Sequence, residues 1–201
     1  SFRTVERGDL ARGGDISATS VGPIAFGAHN TLNAVGGDIC VNSSNATLSI
    51  GEGNTLNAYY EGCTGGDINL SSQGNLTVAA HNHFNSVGGN INVQSECGSI
   101  EANHGSDFCT FGPSSDGSGN ITLRAYNDLL LTQVEIGADN NINLESVNRD
   151  VVLSKSTVVA GGEESGGSIC VQAGSDIKLT VDNKLFAHKD IKMNACDNVT
   201  F

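Results

Sequence analysis

A twelve-residue string that occurs twice constrains the fold of this chain more than any other feature of the sequence. The string runs from Ala28 to Ile39 as AHNTLNAVGGDI and returns from Ala80 to Ile91 as AHNHFNSVGGNI. Two near copies of this length indicate a chain built from repeats, and each unit of a repeat protein buries its apolar face only against its neighbours. The local patterns are therefore interpreted as parts of a stack.

An isoleucine follows a Gly, Asp or Asn corner at regular places along the chain. These isoleucines are Ile16, Ile39, Ile68, Ile91, Ile121, Ile142, Ile169 and Ile191. The intervals between successive members are 23, 29, 23, 30, 21, 27 and 22 residues, so short and long coils alternate. The pattern predicts seven complete coils, with a two-coil super-repeat of about 50 residues.

Apolar and polar residues alternate over short stretches within each coil, as in Ile68–Leu70, Leu76–Val78 and Ile91–Val93. A period of two, bounded by Gly, Asn, Asp and Ser, predicts short strands with one buried face. Three such strands in a short coil make one rung of a parallel β-helix, and seven coils stacked at about 4.8 Å give a rod about 35 Å long. We therefore predict an all-β parallel β-helix, or β-solenoid, of about eight rungs that alternate short and long coils.

The predicted solenoid is a single domain over residues 1–201, with an N-terminal edge-strand region at residues 1–11 and the repeats at residues 12–201. The composition agrees, because 26 Gly and only 2 Pro suit many tight corners between short strands.

Every second coil carries extra polar, glycine-rich residues just before its Gly corner. These insertions are Asn57–Thr64, Phe111–Ser118 and Ala160–Gly166. Insertions that recur in a solenoid map to one side, and that side is often the binding face. The loop-bearing side is therefore the predicted contact surface.

Two columns of polar residues are interpreted as structural. We predict a stacked asparagine ladder in the short coils, which closes orphan backbone groups at a turn. Its members are Asn30, Asn82, Asn127 and Asn183. The second column consists of Asp15, Asp38, Asp67, Asn90, Asn120 and Asn141. A calcium site needs six to eight oxygen ligands, but the mixture of Asp with Asn favours turn capping. We predict no metal site and no cofactor.

The chain has 6 cysteines, and none of them forms a C-x-x-C pair. We expect Cys40–Cys63 and Cys97–Cys109 as local disulfides. For Cys170 and Cys196 we expect either a third pair or a link between neighbouring subunits. Disulfides belong to oxidising compartments, so this pattern favours a secreted or cell-surface protein. The alternative is a cytosolic protein with six reduced thiols.

The formal net charge of −12, with only 10 Lys and Arg, argues against nucleic acid and anionic membranes as partners. The sequence has no apolar run near the roughly 20 residues of a membrane helix, so we predict no membrane insertion. The charged pairs Glu163–Glu164 and Arg149–Asp150 are interpreted as solvated corners, and we predict no catalytic residues. An enzyme that acts on polysaccharides is the least favoured of three functional hypotheses, after the two given below.

The segment from Gly65 to Ala80, GGDINLSSQGNLTVAA, resembles the repeats of filamentous-haemagglutinin-type adhesins. The segments Gly174–Leu179 and Lys189–Met193 are similar in style, and the resemblance extends over about residues 12–201. It implies a right-handed parallel β-helix in a secreted, adhesin-like protein. The cysteines and the alternating long coils are additions to the pattern of such repeats.

The ends of the predicted rod point to self-association. Phe2–Glu6 and Asp197–Phe201 have strand-like alternation, and an open solenoid end presents unpaired backbone groups. A head-to-tail contact that does not close generates a filament. The candidate contact residues are Phe2, Val5, Ile191, Met193, Val199 and Phe201. We therefore expect an extracellular structural or adhesive solenoid that acts as a filament subunit. The alternative is an adhesin fragment that binds a cell surface or glycan through the loop-bearing side.

Overall fold

The computed structural model describes residues 2–4, 14–59, 65–111, 119–161 and 166–201. Within these residues the regular structure is entirely β, in three parallel sheets of eight strands each. Each full coil contributes one strand to every sheet. The fold is a parallel β-solenoid of about seven turns, which confirms the predicted fold class.

Sheet A contains, in hydrogen-bonded order, β1 (Phe2–Thr4), β4 (Thr31–Ala34), β7 (Thr55–Asn57), β10 (His83–Asn85), β13 (Asp107–Cys109), β16 (Glu135–Ala138), β19 (Thr157–Ala160) and β22 (Lys184–Ala187). Sheet B contains β2 (Ile16–Ser20), β5 (Ile39–Ser43), β8 (Ile68–Ser72), β11 (Ile91–Ser95), β14 (Ile121–Ala125), β17 (Ile142–Ser146), β20 (Ile169–Ala173) and β23 (Ile191–Ala195). Sheet C contains β3 (Ile24–Phe26), β6 (Leu48–Ile50), β9 (Leu76–Val78), β12 (Ile100–Ala102), β15 (Leu129–Thr132), β18 (Val151–Ser154), β21 (Ile177–Leu179) and β24 (Val199–Thr200).

The predicted isoleucine column sets the register of sheet B. Each of these isoleucines opens a strand and pairs with the next one in the column, from Ile16 with Ile39 through to Ile169 with Ile191. Because the pairing is in register, side chains of the same parity stack along the rod and form continuous inward and outward files. The predicted alternation of short and long coils is confirmed.

The extra residues of the long coils lie at the connection from sheet A to sheet B, here called the A–B corner. This corner spans residues 35–38 in one coil and 58–67 in the next. The B–C and C–A corners are short in every coil. The three predicted insertions therefore fall at one corner, except that Asn57 and Ala160 are the last residues of β7 and β19. The parts at residues 60–64, 112–118 and 162–165 lie outside the described residues.

The core consists of the inward files of all three sheets. Phe84 and Phe108 are the largest buried side chains, and their rings stack with centroids 4.7 Å apart and an interplanar angle of 4°. The remaining core is aliphatic, and burying one such side chain contributes about 1.5–3 kcal/mol. The inward positions of the first and last described coils, such as Ile16 and Met193, are only partly buried.

Side-chain oxygens cap backbone N–H groups along the A–B corner, as predicted. The N–H of Asp38 donates to Oδ1 of Asp15 at 2.9 Å, and that of Asp67 donates to Oδ1 of Asp38 at 2.8 Å. The same bond recurs in each later coil as far as Ser168, whose N–H donates to Oδ1 of Asn141 at 3.1 Å. The column therefore satisfies backbone groups that a tight corner leaves unpaired.

The C–A corner contains a second file, which is more deeply buried. The N–H of Asn30 donates to Oδ1 of Asn54, and the N–H of Asn54 donates to Oδ1 of Asn82, both at 2.8 Å. The file continues through Ser106, and further along the rod Ser156 donates its N–H to Oδ1 of Asn183 at 3.0 Å.

The predicted asparagine ladder needs one correction. Asn30, Asn82 and Asn183 lie in the C–A file, but Asn127 lies at the B–C corner, where its amide donates to the carbonyl of Cys97 at 3.1 Å. Asn127 precedes a strand of sheet C, whereas the other three precede strands of sheet A. Polar residues precede the strands of all three sheets, so sequence spacing alone did not separate the corners.

The five cysteines within the described residues are free thiols, and Cys63 lies outside those residues. The expected Cys97–Cys109 pair is not formed, because Cys97 lies at the B–C corner and Cys109 lies on sheet A. Cys170 and Cys196 are also unpaired. Cys170 is in register with Lys192, and Cys196 lies beyond the end of β23. Cys40 lies on sheet B, and Nδ2 of Asn69 contacts its sulfur at 3.8 Å.

The predicted subunit-contact residues fall on the first and last coils. Phe2 is part of β1, which pairs with β4, and Val5 lies outside the described residues. Ile191 and Val199 are 43% and 40% exposed, Phe201 is 83% exposed, and Met193 is partly buried. The last described coil therefore presents the ends of apolar files to solvent.

A groove along sheet A as candidate functional site

An asparagine file forms the floor of a groove on the outer face of sheet A. Asn33, Asn57 and Asn85 are in register on adjacent strands, and they point away from the core because they alternate with Leu32, Leu56 and Phe84. Nδ2 of Asn57 donates to Oδ1 of Asn33 at 2.8 Å, and Nδ2 of Asn85 donates to Oδ1 of Asn57 at 2.9 Å. Cys109 continues the file in the next coil.

Apolar and aromatic residues form one wall of the groove. Each wall residue stands two positions after a floor residue, where the chain enters the A–B corner. The wall consists of Val35, Tyr59, Val87 and Phe111. The groove is open to solvent, has a volume of about 440 Å³ and is lined by these four residues and the four floor residues. Short coils supply the valines and long coils supply the aromatic residues, so the wall follows the two-coil super-repeat.

Phe111 is held in place by the next coil. A Cβ atom on Gly137 would lie 2.5 Å from Cε2 of Phe111 and 2.9 Å from its Cδ2. The ring therefore packs directly onto Gly137, in the outward file that begins with Asn33. It ends the polar floor and also lines an apolar depression of about 230 Å³ that continues to Val159.

The groove is electrically neutral near neutral pH. None of its eight lining residues is Asp, Glu, Lys, Arg or His. Burial raises the pKa of the Cys109 thiol, an effect that outweighs the opposing hydrogen bond from the backbone of Phe111, so the thiol stays protonated. The groove therefore offers amide hydrogen-bonding groups and apolar surface without a fixed charge.

The neighbouring outward file of sheet A begins with the uncharged Thr31 and Thr55 and becomes ionisable from His83 onward. His83 contacts the carboxylate of Asp107 through Nδ1, and Glu135 follows in the next coil. The pKa of Asp107 is raised, and burial is the largest cause. The hydrogen bond and charge of His83 lower this pKa, and the charge of Glu135 raises it. His83 and Asp107 therefore flank only Asn85 and Cys109 of the groove floor, on the side opposite the apolar wall.

The groove borders the side that the sequence predicts as a contact surface. Two of its residues, Asn57 and Phe111, begin predicted insertions, but sequence reasoning did not assemble the site. The sequence does contain a pattern that marks the groove. In four successive coils, an outward Asn or Cys is followed two residues later by Val, Tyr or Phe. It becomes recognisable once the strands of sheet A are aligned.

The described residues contain no group of three or more His, Cys, Asp or Glu arranged to hold a metal ion. No helix of sufficient length and hydropathy to span a bilayer occurs in the same part of the chain. In comparisons with known proteins, the chain matches no protein family, no curated protein and no solved structure.

Proposed function

We propose that this chain is an extracellular structural and adhesive β-solenoid that binds a cell surface through the side carrying the groove and the A–B corners. The groove on sheet A is the observation that carries the proposal. It joins four successive coils into one site, with a polar floor and an apolar wall on a rigid stack of strands. A rigid scaffold that positions side chains from several coils is the usual basis of solenoid binding surfaces.

Two properties of the chain support an extracellular adhesive role. The segment Gly65–Ala80 is similar to the repeats of filamentous-haemagglutinin-type adhesins, and that likeness lies in the strands and corners of the scaffold. The formal net charge of −12 favours solubility and disfavours adsorption to other polyanions. Binding by such a rod would therefore rely on specific contacts in the groove.

Cell-binding measurements test this proposal. Fluorescently labelled protein is applied to intact bacterial, fungal and mammalian cells, and the retained fluorescence is measured. We expect retention by at least one cell type, with a large loss for the double variant Asn57→Ala and Tyr59→Ala. The matched control is Asn69→Ala on sheet B, since Asn69 also belongs to an outward amide pair, with Asn92 at 2.9 Å.

The variants must first give the same far-UV circular dichroism as the unaltered chain. Absence of retention on all three classes of cell contradicts the proposal. Retention that the groove variant leaves unchanged also contradicts it, because the binding surface would then lie elsewhere on the rod.

A second candidate function is the axial joining of solenoids into a filament, favoured by the last described coil. Ile191 and Val199 lie in register with buried Ile169 and Ile177, yet both are exposed. A further coil stacked on them, from a second copy, would bury these side chains and continue the hydrogen-bonded corner files. Electron microscopy tests this candidate, with rods much longer than about 35 Å expected. Those rods should disappear in Ile191→Glu, and a single short particle for the unaltered protein would contradict the candidate.

A further inference from the structure

We infer that the groove on sheet A binds a neutral, extended polysaccharide whose chain runs parallel to the solenoid axis. This inference rests on the adhesive function proposed above and names the ligand class of the same site. Its basis is the hydrogen-bonding capacity of the floor asparagines, the spacing between the aromatic rings of the wall and the absence of charged residues from the lining.

The floor has hydrogen-bonding capacity left for a ligand. An asparagine amide has two N–H donors and a carbonyl oxygen with two acceptor sites. Asn57 uses one N–H toward Asn33 and one acceptor site for Asn85, so one donor and one acceptor remain. Sugar hydroxyls both donate and accept, and they can use both remaining groups. Successive asparagines offer such donor and acceptor groups once per coil, and neighbouring coils are about 4.8 Å apart.

The aromatic residues of the wall recur along the axis at a spacing close to that of every second sugar in an extended polysaccharide. Tyr59 and Phe111 come from alternate coils, so their rings recur at about 9.6 Å. An extended β-linked polysaccharide turns the same face of its rings to one side at every second sugar. The apolar C–H face of one sugar can then stack on each aromatic ring while the intervening sugar contacts Val87. Four coils accommodate about four sugar residues in this arrangement.

The absence of charged residues from the groove lining favours a neutral chain. The lining residues provide no lysine or arginine to pair with a uronate or sulfate group. In the adjacent outward file, Thr31 and Thr55 are uncharged, and the carboxylates of Asp107, which contacts His83, and of Glu135 lie only toward the Cys109 end of the groove. There they would repel an acidic polymer. Bringing such a polymer here would cost desolvation of its charge without an ion pair in return. Neutral, extended β-linked glucans, mannans and chitin-type chains remain as the ligand class.

Isothermal titration calorimetry with defined hexasaccharides tests the inference. The neutral probes are cellohexaose, mannohexaose and chitohexaose, and the acidic probe is hexagalacturonate. We expect at least one neutral probe to bind and hexagalacturonate not to bind. Asn57→Ala and Tyr59→Ala should each weaken neutral binding by about tenfold or more. Asn69→Ala should leave it unchanged, and every variant should keep the circular dichroism of the unaltered chain.

The remaining outcomes separate failure of the ligand class from failure of the proposed adhesive function. If no neutral hexasaccharide binds but the groove variant still abolishes cell retention, the adhesive function stands and the ligand class is wrong. Preferential binding of hexagalacturonate also refutes the ligand class. If a neutral probe binds and Asn69→Ala weakens it as much as Asn57→Ala, the site is not the groove. Groove-dependent binding of a neutral probe without cell retention supports the inference and removes the proposed adhesive role.

Discussion

The two faces of sheet A are built by the same strands but have different properties. The inward file runs from Leu32 through Phe84 and Phe108 to Val158, and each of these side chains is at most 2% exposed. The outward file runs from Asn33 through Asn57 and Asn85 to Cys109, where all four residues are half-buried and line the groove. Adjacent residues thus belong to a packed core and to an open site.

This difference shows how a solenoid separates stability from binding. Side chains on a strand alternate between faces, so a substitution at one position changes the side-chain contacts of one face. The inward file tolerates little variation because every member packs against the coils above and below. The outward file can change from amide to thiol to glycine without altering the stack. The following predictions test how complete this separation is.

The largest expected effect is that of Phe84→Ala. Removing a buried aromatic ring, here one stacked on Phe108 at 4.7 Å, costs about 3–5 kcal/mol in the free energy of unfolding. The matched control is Asn85→Ala, the next residue along the strand, which faces the groove and should change stability by about 1 kcal/mol or less. Urea unfolding followed by far-UV circular dichroism measures both. Equal shifts of the midpoint would mean that the two faces are not separate.

A smaller loss is expected for Asn82→Ala at the C–A corner. The Asn82 side chain is fully buried, accepts from the N–H of Asn54 at 2.8 Å and donates to the carbonyl of Ala79 at 2.8 Å. Leaving these backbone groups unpaired costs about 1–3 kcal/mol. Asn90→Ala at the partly buried A–B corner is the control, and it should cost less because water can replace the lost bond. A larger loss for Asn90→Ala would contradict the contrast between the corners.

The smallest effect concerns Asp107 on the outer face of sheet A and depends on pH. Its folded-state pKa is raised above 3.8, chiefly by burial, so ionisation opposes folding. The penalty is complete above the folded pKa and disappears as pH falls below the unfolded value. Asp107→Asn should therefore raise the urea midpoint near pH 7, and this gain should shrink on acidification toward pH 3.8.

Lys178→Met provides a control of opposite sign. Hydrogen bonds from Lys178 lower the pKa values of Asp150 and Asp176 below 3.8. Their stabilisation is present above that value and is lost as pH falls through the folded pKa. Lys178→Met should therefore lower the midpoint near pH 7, and the loss should vanish in acid. Shifts of the same sign for the two variants would refute the electrostatic account.

The fold was largely predictable, because the alternation of apolar residues and the intervals between the isoleucines can be measured directly in the sequence. The isoleucine column and the capping side chains of Asp15, Asp38 and Asp67 occupy the positions expected of them. The candidate site was less predictable. Asn57 and Phe111 were recognised only as the starts of insertions, because their neighbours in the groove come from other coils.

The sequence by itself determined that the chain winds into stacked coils, because alternating apolar residues and glycine-rich corners allow few other ways to bury the core. Tertiary structure alone decided which outward residues meet. Asn33, Asn57 and Asn85 become one floor only through the register between coils, and Phe111 reaches its position because Gly137 leaves space in the next coil. These contacts depend on alignment across the stack, which the isoleucine column indicates for sheet B but which the unequal spacing of the floor residues along the chain hides for sheet A.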